Sequence, residues 1–273
     1  MPGTMGHGRR IMGRRFGGQA ALGEDAMVSV WEFLRGERNT VDSGGQHKIT
    51  LTKSQPQHAI TGHAATTGYL YVNLHWTTRT AEQSGRGSLR RLLDPRILRP
   101  MEPDSYQRPQ LNVDLDLACM YELTDGTRGV VQPLGKYFGD LQRPPYIKLS
   151  GDDVYGAPSG ETMYINLEKK DQFKRLLIFV YIYDDTPAFD RTHATVTIVP
   201  QSGPRIEIRL DERAAAARSC AVVLIENTGD GQLTVRREVR YVHGFQSDLD
   251  RLYGFGMQWQ RGYKTPAGPG SGD

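Results

Sequence analysis

The sequence predicts an all-β chain, a β-sandwich with one short helix and a long irregular insertion. Three observations carry this. Short β-prone runs recur along the chain with turn residues between them. Several alternate apolar and polar side chains with a period of two, as an antiparallel strand with one wet face does. Segments long enough to be crossover helices between parallel strands are almost absent.

Residues 1–47 are rich in Gly, Met and Arg and read as a mostly disordered arm. Within it, Ala26 to Leu34 sets Val28, Trp31 and Leu34 on one side and is a candidate short helix. Lys48 to Thr52 and Tyr69 to Trp76 are the opening strands. Residues 77–110 interrupt the domain: Pro95, Pro100, Pro103 and Pro109 argue against a long regular element there. Further strands are expected at 113–122, 128–132, 146–149, 161–167, 174–183, 193–199, 205–210, 219–226 and 232–242. Ile206, Ile208 and Leu210 oppose Glu207 and Arg209. Leu233, Val235, Val239 and Tyr241 oppose Thr234, Arg236, Glu238 and Arg240. Asp211 is placed to cap a helical turn from Glu212 to Ala217, whose alanines favour helix. The domain runs over residues 48–264, and 265–273 form a Pro/Gly/Ser tail.

Composition excludes several function classes. The 34 basic and 31 acidic residues nearly balance, which does not point to nucleic acid or to an acidic membrane. The basic bias is local: Arg9, Arg10, Arg14 and Arg15 in the arm, and seven arginines against four acids from Thr77 to Asn112. Neither stretch has the aromatic interleaving of a single-strand groove. Cys119 and Cys220 lie in apolar runs and read as buried free thiols, which rules out a disulfide scaffold or a cysteine-built zinc site. No stretch approaches the roughly 18–20 apolar residues of a membrane span, and no signal-peptide pattern is visible. A cytoplasmic location is expected, without membrane insertion.

The most informative residues are acidic. In Val113-Asp114-Leu115-Asp116-Leu117, a strand sets Asp114 and Asp116 on one face and the apolar residues on the other, so the carboxylates are expected at a rim or over a loop. Two like charges side by side are costly without a cation. The loop Gly151-Asp152-Asp153 through Gly156 to Gly160-Glu161 has acids at both ends and glycines that let carbonyls turn inward. Asp184 and Asp185 close the apolar run Leu176 to Tyr183. Six or more oxygens at about 2.4 Å is calcium's requirement. Three readings fit these residues: metal ligands, solvated turn acids, or acids paired with the many arginines. The twelve-residue spacing of an EF-hand is absent.

From Asn112 through Lys264 the sequence resembles the tellurium-resistance TerD-domain family, more particularly its TerA-like members. The resemblance rests on Asp114-Leu115-Asp116, the acidic loop to Glu161 and the strand after it, Phe179-Val180-Tyr181-Ile182-Tyr183-Asp184, and the region Trp259 to Gly262. Leu51-Thr52-Lys53 and Tyr69 to Trp76 resemble the family's opening strands. The resemblance implies a TerD-type sandwich, calcium as the cofactor, and Asp114, Asp116, Asp152, Asp153 and Glu161 as ligands by side chain or adjacent carbonyl, with Asp184 and Asp185 beside them. The chain departs from the family at Tyr155 and at Ser159-Gly160, which stand where a threonine and a pair of acids are usual. That implies one ion rather than two.

Chemistry has thinner support. His58 and His63 do not share a helical face. His75, His193 and His243 read as ordinary strand-edge histidines, and no nucleophile elbow or phosphate loop is present. Tyr253, Phe255, Trp259 and Tyr263 read as packing that covers a sheet. The expectation is a non-enzymatic calcium-binding scaffold of the tellurium-resistance and stress-response type, with other proteins of that type as partners. The competing readings are a metal-dependent hydrolase with His193 as base, and a purely structural module.

Overall fold

A computed structural model describes residues 47–76, 114–150, 160–183, 189, 192–214 and 216–260. The arm with Ala26 to Leu34, the insertion at 77–110 and the tail at 265–273 lie outside the described residues. So do Asp152, Asp153, Asp184, Asp185 and Tyr263.

The described residues form two stacked sheets. The chain runs through β1 (Lys48–Thr50), β2 (Gln57–Ile60), a single helical turn α1 (His63–Thr66), β3 (Tyr69–His75), β4 (Leu115–Leu123) and β5 (Arg128–Val131). It continues through β6 (Gly139–Asp140), β7 (Ile147–Leu149), β8 (Glu161–Asn166) and β9 (Phe173–Ile182). Last come β10 (Ala194–Val199), β11 (Arg205–Leu210), β12 (Ser219–Asn227), β13 (Leu233–Val242) and helix α2 (Gln246–Tyr253). One sheet has the order β1-β11-β10-β3-β8-β7-β6 and the other β2-β13-β12-β9-β4-β5. All the pairings are antiparallel except β1 with β11.

The period-two pattern explains the stacking. Leu70, Val72 and Leu74 of β3, Met163 and Ile165 of β8, and Ile206, Ile208 and Leu210 of β11 all reach the shared core. They meet Leu115, Leu117 and Cys119 of β4 and Ile178, Val180 and Ile182 of β9. The central strands β4, β9 and β12 are apolar on both faces. Ala118, Met120, Leu177, Phe179, Tyr181, Ala221 and Leu224 therefore form a second core on the outer side of the six-stranded sheet. Leu249 of α2 and Phe255 cover it, with Tyr253, Met257 and Trp259 packed around them. Burying Phe255 completely contributes about 1.5–3 kcal/mol. The C-terminal aromatics thus cover a sheet, as their sequence suggests.

Polar pins hold this cover. The buried Asp250 carboxylate accepts from the amides of Gly256 at 2.6 Å and Met257 at 2.8 Å, and from Trp259 Nε1 at 2.6 Å. Glu122, buried in β4, takes Arg175 Nε at 2.6 Å, Lys174 Nζ at 2.9 Å and Arg128 Nη2 at 3.1 Å. Arg175 then donates to the carbonyls of Tyr253 and Gly254 and lies 4.3 Å from the Phe255 ring centroid. Arg128 donates to the Phe255 carbonyl at 2.9 Å. Both arginines are thereby shared between the sheet's buried acid and the cover's backbone.

One helix is not where the sequence suggests. Glu212 to Ala217 forms no helix among its described residues. Glu212 is held instead by Arg237 at 2.8 Å and Lys53 at 3.0 Å, Ala216 has a φ of 63°, and Ala217 is buried in the core. These contacts outweigh the alanines' propensity, which amounts to tenths of a kcal/mol per residue. The helix is α2, ended by Gly254 in the left-handed conformation.

Burial pushes the Glu122 carboxyl up, but the hydrogen bonds from Lys174, Arg175 and Arg128 outweigh it and bring it to about 2. A folded-state pKa below the ordinary 4.5 means the stabilisation is complete above that value and is lost as pH falls towards 2. Glu122→Gln is expected to cost about 2 kcal/mol at neutral pH. That is less than the roughly 3–5 kcal/mol for breaking a fully buried pair, because Arg128 and Lys174 reach solvent. Urea melts should find the gap between wild type and variant narrowing as pH is lowered through this window.

Candidate functional site

Three of the acids singled out in the sequence come to one end of the sandwich. Leu115 at the start of β4 pairs with Ile182 at the end of β9, and Glu161 at the start of β8 pairs with Leu74 near the end of β3. Ser219, opening β12, pairs with Tyr181. Strand starts and ends therefore alternate across both sheets here, and Asp114, Asp116 and Glu161 stand at this acid end.

Their setting differs from the expected rim. Asp114, Asp116 and Glu161 are all buried. Asp116 lies directly opposite Tyr181 in the register, on the face that leads into the outer core. The Asp114 carbonyl accepts from the Tyr183 amide at 3.2 Å, which extends the β4–β9 ladder one step beyond both strands. Glu161 reaches from one sheet to the other: its Oε2 accepts from the Leu117 amide at 2.6 Å. The last paired residue of β5 is Val131, opposite Cys119, so Leu117 lies beyond that strand. Glu161 supplies the acceptor that a longer β5 would have supplied.

Local chemistry sets Glu161 in place. Gly160 has a φ of 63°, and a Cβ there would collide with the Leu74 carbonyl oxygen, so only glycine brings the chain this close to β3. The Ser150 amide donates to the Thr162 carbonyl at 2.8 Å, and Asn73 Nδ2 donates to the Glu161 carbonyl at 3.3 Å and to Thr162 Oγ1 at 3.0 Å. The described chain leaves this end at Ser150 and at Tyr183, and the sequence then carries Asp152 and Asp153, and Asp184 and Asp185. Among the described residues no three His, Cys, Asp or Glu side chains gather into a metal-binding group.

Other candidates carry little chemistry. Cys119 and Cys220 are free and buried, and burial pushes both thiols up, which makes them poor nucleophiles. His63 Nδ1 is 3.1 Å from Thr67 Oγ1, and burial lowers His58. What sequence reasoning passed over is Glu122 and Asp250. The signal for Glu122 was available: a lone carboxylate in the apolar run Ala118 to Leu123 demands cations.

Over 218 residues the chain is 34% identical to the tellurium resistance protein TerA of an Alcaligenes species, covering 80% of this chain and 58% of that protein. Over this span the chain is a homologue of TerA. It spans somewhat over half the length of this relative. No family model matches it. Among solved structures, SAV2460, a protein of unknown function, aligns with a TM-score of 0.46 and 15% identity over 70% of this chain and 98% of its own. SCO6318 of Streptomyces coelicolor A3(2), described as a homologue of the telluride resistance protein TerD, aligns at 0.42 and 19% over 66% and 94%.

The Glu161–Leu117 bond has a measurable share in stability. Glu161→Ala leaves the Leu117 amide buried without its acceptor and is expected to cost about 2 kcal/mol. Glu161→Gln, which keeps an oxygen in reach, should restore most of that in urea denaturation.

Proposed function

We propose that this chain is a calcium-binding, non-enzymatic scaffold of the tellurium-resistance type, whose acidic end presents a calcium-dependent surface. The observation that carries the reading is the placement of buried Asp114, Asp116 and Glu161 at the same end of the sandwich. Similarity to TerA supports the assignment to tellurium resistance.

The donors suit the ion. All are carboxylate oxygens, the hard ligands that calcium takes in sixes to eights. One Glu161 oxygen is engaged by the Leu117 amide, so this carboxylate is oriented before any ion arrives. The described carboxylates supply too few oxygens to complete a shell. The remainder falls to Asp152 and Asp153, and to Asp184 and Asp185, whose segments leave the sandwich at this end. Bound calcium offsets the repulsion among these acids and stabilises the folded state by mass action. Presenting a surface needs no reaction, so resistance on this reading comes from binding, with protein partners of the same type.

Titration of the purified chain by calorimetry tests this. Saturable uptake of about one calcium ion is expected, abolished in Asp116→Asn and in Asp152→Asn and accompanied by a higher melting temperature in the wild type. Absence of heat and of any melting shift up to millimolar calcium would overturn the reading.

A further inference from the structure

Four strands end the two sheets: β1 and β6 in one, β2 and β5 in the other. An exposed edge offers unpaired amides and carbonyls to any extended chain, and charged side chains or very short strands blunt that hazard. Three of the four edges are blunted in this way. β1 carries Lys48, β5 carries Arg128, and β6 is two residues long with Asp140 as one of them. β2 reads Gln-His-Ala-Ile and has no Asp, Glu, Lys or Arg.

The register shows which groups β2 offers. It pairs antiparallel with β13, Ile60 opposite Leu233 and Gln57 opposite Arg236. One step beyond, the Arg237 amide donates to the Pro56 carbonyl at 2.6 Å. Main-chain groups point alternately to the two sides of a strand, so His58 and Ile60 bond to β13 as Pro56 does. The amides and carbonyls of Gln57 and Ala59 face away from the sheet, and both residues are exposed. The edge is closed before and after these residues. The Thr52 amide donates to the Gln55 carbonyl at 3.1 Å and the Gln55 amide to Thr52 Oγ1 at 3.1 Å, while Gly62, with a φ of 58°, leaves the extended conformation.

We infer that β2 pairs antiparallel with β2 of a second copy of this chain, joining two six-stranded sheets across a twofold axis. A twofold contact needs a patch that complements itself. The register that sets Gln57 opposite Ala59 of the second copy meets this need, because four hydrogen bonds then use all four outward groups of each β2. His58 meets its own counterpart at the axis. Burial lowers His58 below the ordinary histidine value, so two neutral rings meet there at neutral pH. On the exposed face, Gln57 stands beside Ala59 of the second copy, whose methyl leaves it room. The cations next to β2 are engaged within their own copy: Arg236 with Glu238 at 3.1 Å, Arg237 with Glu212 at 2.8 Å and Lys53 with Glu212 at 3.0 Å. Like charges therefore do not oppose the pairing.

The contact is small. Four residues a side bury far less than the roughly 1,200 Å² of a stable standard interface, so the dimer forms reversibly and at high protein concentration. It needs no calcium, and its failure leaves the calcium reading untouched.

Sedimentation velocity of the full chain from about 10 µM to 1 mM, with calcium chelated, tests this. A concentration-dependent monomer–dimer equilibrium is expected. Ala59→Pro removes one outward amide without touching the bonds to β13, and Ala59→Lys adds the edge charge that β2 lacks. Each should raise the Kd about tenfold or more, with a melting temperature near that of wild type. The variant His58→Cys locates the contact: Cα atoms facing across the axis lie about 4.5 Å apart, within disulfide reach, so mild oxidation should trap a covalent dimer. A monomer across the whole range, a dimer that both Ala59 variants leave intact, or no covalent dimer from His58→Cys would overturn the inference.

Discussion

A carboxylate withdrawn from water keeps its charge only where hydrogen-bond donors or cations meet it, and an amide at the end of a sheet needs an acceptor just as much. At the acid end these two needs answer each other. β5 stops short of Leu117, and Glu161 arrives from the opposite sheet to take the orphaned amide. The contact is a directional link between two sheets whose shared core is apolar. Because the hydrogen bond is directional, it fixes where the start of β8 stands against the start of β4. The Gly160 close approach, the Ser150–Thr162 pairing and the Tyr183–Asp114 step are all neighbours of that fixed point.

The same device serves a different purpose at the other end. Glu122 is buried in the same strand as Asp116, six residues along, but three cations surround it, and two of them, Arg128 and Arg175, bind the C-terminal cover in turn. Charge, acceptors and apolar burial agree there, and the result is a closed, static latch. β4 therefore carries a structural carboxylate at one end and candidate ligands at the other. The apolar run between them lies in both cores.

Much of the sandwich was legible because its strands alternate. β11 and β13 show their polarity residue by residue, and the central strands show by continuous apolar runs that both faces are covered. β2 and β6 were not legible: four and two residues hold too little pattern, and only their partners define them. α2 was hidden because its polar residues outnumber the apolar ones that it packs down. The expected helix at Glu212 gave way to ion pairs with residues remote in sequence. At the site, the order and residue type of Asp114, Asp116 and Glu161 were readable. Their burial was not, since it depends on Glu161 reaching an amide 44 positions away.

The most direct measurement is hydrogen exchange at individual amides, with and without calcium. Under this account calcium slows exchange at the acid end, at the start of β4, the end of β9 and the start of β8, and most clearly at the Leu117 and Tyr183 amides. Gly256 and Met257, held by Asp250 beneath the far cover, should exchange at the same rate in both conditions. Uniform slowing across the whole sandwich, or protection that is the same with and without calcium at Leu117 and Tyr183, would contradict the claim that the acidic end is where the ion acts.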